Sequence, residues 1–313
     1  MGIAVDLQLS TLWLEQSGRV LTARVDAPPF NYMTRAMQQD FVRLVEAVEH
    51  DESVGAVVVT GARSGRFITH FDLAQMSSQL DGTPEISRTV AQSLYRGVRA
   101  TERLVTRSVT TGLRAMARFQ DMALRLMYSP AVWIAAVNGP CGGGGLEMSV
   151  FFDLRVSDDR DACFGLPELS VGLTTSLGAQ RLIQLAGPSR ALEMMLEARF
   201  YTPREALELG LVNRVVPAED LPDTVRGMAE RYARRPRKAV ALQKRIFNDA
   251  CSASARASLT QEAVTALMSM SSPVTQAAMR RWAQMQDGTD GDSVFLTEPE
   301  PWTEGTALDM NAR

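Results

Sequence analysis

Four consecutive glycines followed closely by a carboxylate, residues 142–145 and Glu147, constrain the fold of this chain more than any other stretch. The run follows an apolar, strand-like segment at residues 131–137 and leads into a helix-like one. Because glycine allows close approach to the backbone, four glycines at the start of a helix predict exposed N–H groups. Such groups bind negative charge, which can be a phosphate or a developing oxyanion.

The residues around the glycines favour the oxyanion. A carboxylate as close as Glu147 would repel a phosphate, and a Walker loop needs Lys and Ser or Thr where Leu146 and Glu147 stand. Glu168 lies at the distance expected of the acidic residue in a dinucleotide-binding fingerprint. The turn at residues 138–140 and the lack of a clean second strand ending at that acid argue against this fold. A nucleotide site is therefore the less favoured interpretation.

Composition limits the class of protein. The 313 residues are 45% hydrophobic, which is enough for a buried core, and the net charge of -3 gives no reason to expect nucleic acid. The three cysteines are too few and too scattered for a disulfide framework or a metal cluster. The sequence shows no leader-like N-terminus and no apolar run of membrane-spanning length. We therefore expect a cytoplasmic protein with no membrane span and no bound metal.

Strand and helix patterns alternate along the chain. Two short apolar segments flank a turn at Ser17 and Gly18 and predict a hairpin, and a helical pattern follows from Thr34, its expected cap, to His50. The segments at 55–60 and 131–137 are continuously apolar. Continuous apolar strands separated by helices indicate an α/β fold with a parallel sheet covered on both faces.

The rest of the pattern predicts the domain organisation. We expect a core over residues 1–200, interrupted by a long helical insertion at about 84–128. Residues 201–290 read as a helical C-terminal subdomain, and Thr202 with Glu205 is typical of a capped helix start. Residues 291–313 are rich in Gly, Asp, Glu, Pro and Thr, so we expect a tail that is partly extended or disordered.

Two carboxylates are the best candidates for chemistry. The chain has only two histidines, and no Ser–His or Cys–His pair stands out, so a serine or cysteine hydrolase is disfavoured. Glu147 and Glu168 each follow a Gly- or Pro-bearing turn after a strand-like segment, where the active sites of sheet proteins collect. A pair of carboxylates can divide acid and base work when its surroundings separate the two pKa values.

Several ordered motifs resemble the crotonase (enoyl-CoA hydratase/isomerase) superfamily. They are N-G-P-C-G-G-G-G-L-E (138–147), F-G-L-P-E (164–168), Q-R-L (180–182), F-I-T-H-F-D-L (67–73), Y-T-P-R-E-A (201–206) and L-V-N-R-V-V-P (211–217). The fourth is similar to the family's F-x-A-G-x-D-L. The resemblance covers about residues 10–290 in consistent order. It implies a crotonase-like ββα spiral core followed by the helical C-terminal subdomain.

The resemblance also implies a mechanism. In the family, two backbone N–H groups hold the thioester oxygen of an acyl-CoA, and by position these belong to Phe71 and Gly144. Glu147 would activate a water that adds at C3, and Glu168 would deliver a proton to C2. Retention of both glutamates favours an enoyl-CoA hydratase, a hydro-lyase. Coenzyme A would enter as part of the substrate, with no other cofactor.

Further residues follow from the same resemblance. His70, Asp72, Gly143, Leu146 and Pro167 would contact substrate. Lys244 matches a basic position of the C-terminal helix that could bind a CoA phosphate, although a surface ion pair is at least as good an interpretation. Family members assemble through their C-terminal helices as homotrimers or dimers of trimers, so the resemblance implies that residues 201–290 also serve oligomerisation here.

Three departures from the family pattern leave alternatives open. His70 replaces a small glycine, the segment at residues 172–178 is one residue short and lacks a proline, and the helical insertion is longer than usual. His70 could carry a proton or shape the pocket. Because the 172–178 segment helps to position water in hydratases, two alternatives remain. One is an isomerase or other acyl-CoA thioester enzyme, and the other is a non-catalytic acyl-CoA-binding protein.

Overall fold

A computed structural model describes residues 3–80, 84–100, 108–251, 255–287, 292–303 and 307. Its strands are β1 (Leu12–Ser17), β2 (Val20–Val25), β3 (Ala56–Gly61), β4 (Val132–Val137), β5 (Pro140–Gly142), β6 (Leu154–Asp158), β7 (Cys163–Gly165), β8 (Phe200–Tyr201) and β9 (Arg214–Val216). Its helices are α1 (Arg35–His50), α2 (Leu73–Leu80), α3 (Arg88–Ala100), α4 (Ser108–Tyr128), α5 (Gly144–Ser149), α6 (Ala179–Ala186), α7 (Pro188–Glu197), α8 (Pro203–Glu208), α9 (Leu221–Ala233), α10 (Arg237–Cys251), α11 (Ala255–Ser271), α12 (Pro273–Gln286), α13 (Val294–Thr297) and α14 (Pro299–Thr303). A 3₁₀ helix spans Pro167–Val171.

The larger sheet has the strand order β1-β2-β3-β4-β6-β9. Strands β1 and β2 form the predicted hairpin, and the remaining neighbours pair in parallel. Alternate residues of β3 and β4 pack on opposite faces. Val57 and Trp133 join a core that includes residues of α1 and α4, whereas Val58 and Ile134 pack under α9. The continuous apolar strands are therefore buried on both faces, as the sequence predicted.

A smaller sheet supplies the second strand of a strand–strand–helix unit that repeats along the chain. Its strands follow the order β5-β7-β8, and Ile68 extends it through a bridge to Cys141 of β5. Strands β3, β4 and β6 of the larger sheet each lead to a segment of the smaller sheet and then to a helical segment. This succession is the predicted ββα spiral. It brings the ends of three successive repeats together beside α5.

The local start signals read from the sequence are confirmed. The Thr34 hydroxyl accepts a hydrogen bond from the Met37 N–H and caps α1. Thr202 and Glu205 form a complete capping box at the start of α8. Each cap satisfies N–H groups that the first turn of a helix leaves without partners.

The predicted insertion consists of α3 and α4, and residues 101–107 between them lie outside the described residues. Helices α9 to α12 follow the last strand, but β9 pairs with β6 in the larger sheet. The sheets therefore continue beyond residue 200, and the domain boundaries themselves stay predictions. In the expected tail, residues 294–303 form α13 and α14. Among the described helices, none is both long and apolar enough to cross a membrane.

Candidate active site

The glycine run joins β5 to α5 and lies directly against the segment that follows β3. Gly142 ends the strand, Gly143 caps the helix with a φ of +44°, and Gly144 is the first helical residue. A Cβ atom on Gly145 would lie 2.1 Å from the carbonyl oxygen of Ile68. The glycines therefore permit a backbone-to-backbone contact that a side chain would prevent.

This contact brings Phe71 and Gly144 next to each other, and each carries a backbone N–H group. Met33 donates its N–H to the His70 carbonyl (2.7 Å) and accepts from the Asp72 N–H (3.5 Å), so the Phe71 N–H points away from Met33. The Gly144 N–H lies in the first turn of α5, which has no acceptor for it. Within the part of the chain that the structure describes, neither N–H has a hydrogen-bond partner. Both can therefore donate to an incoming oxygen.

The phenyl ring of Phe71 packs on Gly144. A Cβ atom on Gly144 would lie 2.7 to 2.9 Å from three carbons of that ring. The Phe71 ring therefore requires that Gly144 carry no side chain.

Glu147 is buried on α5 with its carboxylate held by a turn. Its Oε1 accepts from the N–H groups of Ser176 (2.7 Å) and Leu177 (3.1 Å), and its Oε2 accepts from the Ser176 hydroxyl (3.2 Å). The side chain is 2% exposed. These three donors fix the orientation of the carboxylate.

Glu168 lies in the 3₁₀ helix at the other side of the glycine run. Its Oε1 atom sits 2.9 Å from the position of a Cβ on Gly143. Its Oε2 is buried and has no hydrogen-bond partner among the described residues. A buried carboxylate oxygen without a donor favours the protonated form of the group.

The pKa values of both carboxyl groups are raised. Burial raises the pKa of Glu147, the nearby Glu168 raises it further, and the hydrogen bonds from Ser176 and Leu177 oppose the shift. Burial raises the pKa of Glu168 to about 7. Two interacting buried carboxylates do not both ionise readily, so the pair holds a proton near neutral pH. The three hydrogen bonds on Glu147 favour its ionised form, and the lack of a donor on Glu168 Oε2 favours the protonated form of that group.

Both carboxylates line one cavity, whose wall is mostly apolar. Helices α4 and α11 each contribute several residues to it, and α2 contributes two. The apolar residues of the wall are Met33, Phe71, Met76, Leu113, Ala115, Met116, Phe119, Leu173, Ala266, Leu267 and Met270. Arg35, Gln38, Asp72 and Gln75 also contribute to the lining. The cavity can accept an apolar chain whose reacting end lies between the carboxylates and the free N–H groups.

The imidazole of His70 lies outside the described cavity wall, and its predicted substrate contact stays a prediction. It stacks on Tyr32 at 4.5 Å, meets Trp282 and Phe295 edge-on and hydrogen-bonds Ser293 through Nε2 at 2.9 Å. It is not among the described residues that line the cavity. Burial lowers the pKa of His70 to about 4, so the ring is neutral at pH 7. Its position indicates packing of the tail helices against the glycine-run region rather than proton transfer.

The remaining predicted substrate contacts have mixed positions. Asp72 lines the cavity and accepts from the Gln75 N–H at 2.8 Å, which caps α2. Gly143 contacts Glu168, as described above. Leu146 packs in the main core, and Pro167 is buried as the first residue of the 3₁₀ helix. Neither of these two belongs to the described cavity wall.

Lys244 forms an ion pair, which was the alternative to its predicted CoA contact. Its Nζ lies 2.8 Å from Asp153 Oδ2 and 3.1 Å from the carbonyl oxygen of Ala131. Its side chain is only 10% exposed. Ala131 precedes β4, whereas the glycine run follows that strand, so Lys244 lies at the opposite end of the sheet.

The turn that holds Glu147 could not be recognised from the sequence. Ser176 and Leu177 belong to the 172–178 segment, whose only sequence signal is its departure from the family pattern. Their role depends largely on backbone N–H groups, which every residue except proline has, so the residue types do not reveal it. Gly178 is the one local signal of the turn. It has a φ of +97°, and backbone atoms of Glu147 lie beside it.

Comparison with known proteins agrees with this geometry. Residues 113–286, more than half of the chain, match a family model described as enoyl-CoA hydratase/isomerase. The chain is 27% identical over 244 residues to the short-chain-enoyl-CoA hydratase of Clostridium acetobutylicum, covering 77% of this chain and 82% of that protein. It is 28% identical over 238 residues to the crotonyl-CoA hydratase of Syntrophomonas wolfei, covering 75% and 80%.

Solved structures show the same fold. The human mitochondrial delta3-delta2-enoyl-CoA isomerase superposes with a TM-score of 0.71 at 22% identity, covering 89% of this chain and 98% of that one. The enoyl-CoA hydratase of Bacillus halodurans gives 0.72 at 19% identity, covering 87% and 99%. A hydratase and an isomerase are thus equally close in architecture, and the choice of reaction depends on the site.

Proposed function

The chain belongs to the enoyl-CoA hydratase/isomerase family, and from this premise we propose that it is an enoyl-CoA hydratase that adds water across the 2,3 double bond of a 2-enoyl-CoA thioester. Such an enzyme is a hydro-lyase. The curated relatives that share 27% and 28% of its residues over most of the chain carry hydratase names. The observation that carries the proposal is the pair of buried carboxylates, Glu147 and Glu168, on the wall of one mostly apolar cavity. The N–H groups of Phe71 and Gly144, which have no hydrogen-bond partner among the described residues, complete the site.

In this mechanism the thioester oxygen accepts from the N–H groups of Phe71 and Gly144. As charge moves onto that oxygen, these donors and the positive end of α5 stabilise it. Glu147, which the hydrogen bonds favour as the ionised member of the pair, removes a proton from water as the water oxygen bonds to C3. Glu168 gives its proton to C2. The product is a 3-hydroxyacyl-CoA, and the proton taken by Glu147 must return to Glu168 before the next cycle.

Isomerisation of a 3-enoyl-CoA is the second candidate, and one observation favours it. Both oxygens of Glu147 already accept hydrogen bonds from the 176–177 turn, which leaves fewer acceptor positions for a water. A double-bond shift needs no water, and a single carboxylate could move a proton between C2 and C4.

Absorbance of the conjugated thioester distinguishes these reactions. We expect crotonyl-CoA or a longer 2-enoyl-CoA to lose this absorbance with the wild-type chain, whereas an isomerase would create it from a 3-enoyl-CoA. Glu147→Gln and Glu168→Gln should each lower hydration by roughly 10² or more, with acyl-CoA binding retained, because each removes a proton-transfer group. A nearly silent Glu168→Gln would favour the isomerase. Tight acyl-CoA binding with no reaction at any chain length would contradict an enzyme and indicate a binding protein.

The proposal includes an acyl-CoA substrate and no cofactor beyond the CoA that the substrate carries. It also includes assembly as a homotrimer or dimer of trimers and a location in the cytoplasm.

A further inference from the structure

Gln120 is a buried polar residue in the apolar face of α4. It is 2% exposed, and it lies one turn from Met116 and beside Phe119, both of which line the cavity. Its own carboxamide is not part of the described cavity wall. A buried carboxamide on such a face is costly unless its hydrogen bonds are satisfied, so its partners indicate why it stands there.

The partners of Gln120 connect three parts of the fold. Its Nε2 donates to the carbonyl of Ser176 at 2.9 Å and to the carbonyl of Leu259 on α11 at 3.2 Å. Its Oε1 accepts from the Tyr95 hydroxyl on α3 at 2.6 Å. One side chain therefore ties α3, α4 and α11 to the turn that holds Glu147.

The bond to Ser176 acts on the peptide group that contacts the carboxylate. The Ser176 carbonyl and the Leu177 N–H belong to the same peptide unit, and that N–H donates to Glu147 Oε1 at 3.1 Å. A donor on the carbonyl polarises the peptide and strengthens the bond that its N–H makes. The chain of donors thus runs in one direction, from the Tyr95 hydroxyl through Gln120 and the peptide to the Glu147 carboxylate.

The other end of the turn is also anchored. The N–H of Ala179, the first residue of α6, donates to Glu262 Oε2 on α11 at 3.1 Å. Gln120 and Glu262 therefore hold residues 176–179 from α4 and α11, two helices that both contribute to the cavity wall.

We propose that Gln120 is a positioning residue, which holds the Glu147 carboxylate in its working orientation through the Ser176–Leu177 peptide group. Helix α4 then has two roles, since it lines the cavity and supports the turn behind the carboxylate. The inference rests on the proposed function, in which Glu147 transfers a proton. It goes beyond that function by making turnover depend on a residue that touches neither substrate nor carboxylate.

The test replaces Gln120 with a side chain of similar length and no hydrogen bonds. In Gln120→Met, we expect kcat for a 2-enoyl-CoA to fall at least about 10-fold while KM changes by less than about 3-fold. The substitution removes the support that orients the Glu147 carboxylate but leaves the substrate cavity intact. Hydrogen exchange of the peptide covering residues 174–179 should speed up by about 10-fold or more, because the turn loses its support.

Asn248 supplies the matched control. It is a second buried carboxamide, 6% exposed, and its Nδ2 donates to the carbonyl of Met127 near the end of α4 at 2.6 Å. Asn248→Leu removes a comparable bond to the same helix without touching the 176–179 turn. It should leave kcat and exchange at 174–179 unchanged. If Gln120→Met does not fold, Gln120→Asn provides the second variant, because the shorter side chain cannot reach both carbonyls.

The two measurements separate the inference from the proposed function. If the wild-type chain acts on no enoyl-CoA, the proposed function fails and exchange at 174–179 alone decides whether Gln120 supports the turn. If the Gln120 variant matches Asn248→Leu in exchange, the inference is wrong, whatever the activity. Faster exchange with unchanged kcat in an active enzyme would also overturn it, because the turn would then be supported without consequence for Glu147.

Discussion

At the scale of single residues, the difference between Glu147 and Glu168 comes from the hydrogen bonds that each receives. Three donors converge on Glu147, whereas Glu168 Oε2 is buried without one in the described structure. Similar burial therefore leaves one group suited to carry charge and the other to carry a proton. This asymmetry makes separate predictions for stability and for activity.

Glu168 should destabilise the fold as pH rises. Burial raises its folded-state pKa to about 7, above the ordinary 4.5, so the folded state favours the neutral acid. The stability that this preference supplies is complete below pH 4.5 and is lost as pH rises through 7. Glu168→Gln, which stays neutral, should therefore unfold about 4 °C higher than the wild type at pH 8, for a gain of roughly 2 kcal/mol.

The comparison must be made across pH. At pH 4.5 the two proteins should have nearly equal melting temperatures, and the difference should grow steadily to pH 8. A difference that is the same at both pH values would show that the substitution acts by packing and not by removing a buried charge.

Gly143 should be required for both stability and activity. Its φ of +44° is unfavourable for a side chain, and a Cβ there would press on Glu168 Oε1 at 2.9 Å. Gly143→Ala should cost about 1–3 kcal/mol in unfolding free energy and lower kcat by about 10-fold or more, because the acid is displaced.

Gly18→Ala is the control that separates backbone strain from contact with Glu168. It has a φ of +56° and nothing within 4 Å of its Cβ position, so Gly18→Ala carries backbone strain alone. Denaturant unfolding should show a smaller loss for Gly18→Ala than for Gly143→Ala, and only Gly143→Ala should lose kcat. Equal kcat in the two would show that contact with Glu168 does not matter.

Residue type revealed only part of the site. Glu147 and Glu168 could be predicted because each follows a turn whose composition marks a strand-to-helix junction. His70 could not be placed, because its aromatic neighbours Trp282 and Phe295 come from more than 200 residues away in the chain. Gln120 left a weak signal as a polar residue among apolar ones, but its partners became visible only in three dimensions.

At the scale of elements, α4 shows what periodicity can and cannot predict. The apolar spacing of Met116, Phe119 and Ala123 predicts one buried face, and the structure confirms a helix at Ser108–Tyr128. The same spacing does not distinguish a face that packs on α1 from one that lines a cavity. In the structure the face does both, since Phe119 belongs to the main core and Met116 lines the cavity.

Met116 should limit the length of the acyl chain. Met116→Trp would fill part of the cavity, so kcat/KM should fall by about 10-fold or more for a long 2-enoyl-CoA and change little for crotonyl-CoA. Arg118→Trp adds the same ring to an exposed position of the same helix and should leave the ratio of the two substrates unchanged. An equal loss on both substrates in Met116→Trp would show that the side chain acts on folding or on the reacting end.

At the scale of the whole molecule, the described surface carries apolar side chains that a monomer would leave in water. Leu242, Ile246 and Phe247 of α10 are 53%, 66% and 64% exposed. Their spacing places them on one side of the helix, and an exposed apolar stripe of this kind marks an interaction surface. The proposed assembly through the C-terminal helices would cover it.

A charge in this stripe should therefore break the assembly. We expect the wild-type chain to elute as a trimer or hexamer in light-scattering chromatography, and Ile246→Asp to shift it toward monomers, because a buried unpaired carboxylate destabilises an interface. Trp13 is the control, since it is 68% exposed on the edge strand β1, away from α10. Trp13→Asp should leave the mass unchanged. Dissociation by Trp13→Asp alone would place the interface on the hairpin, and a monomeric wild type would contradict the proposed assembly.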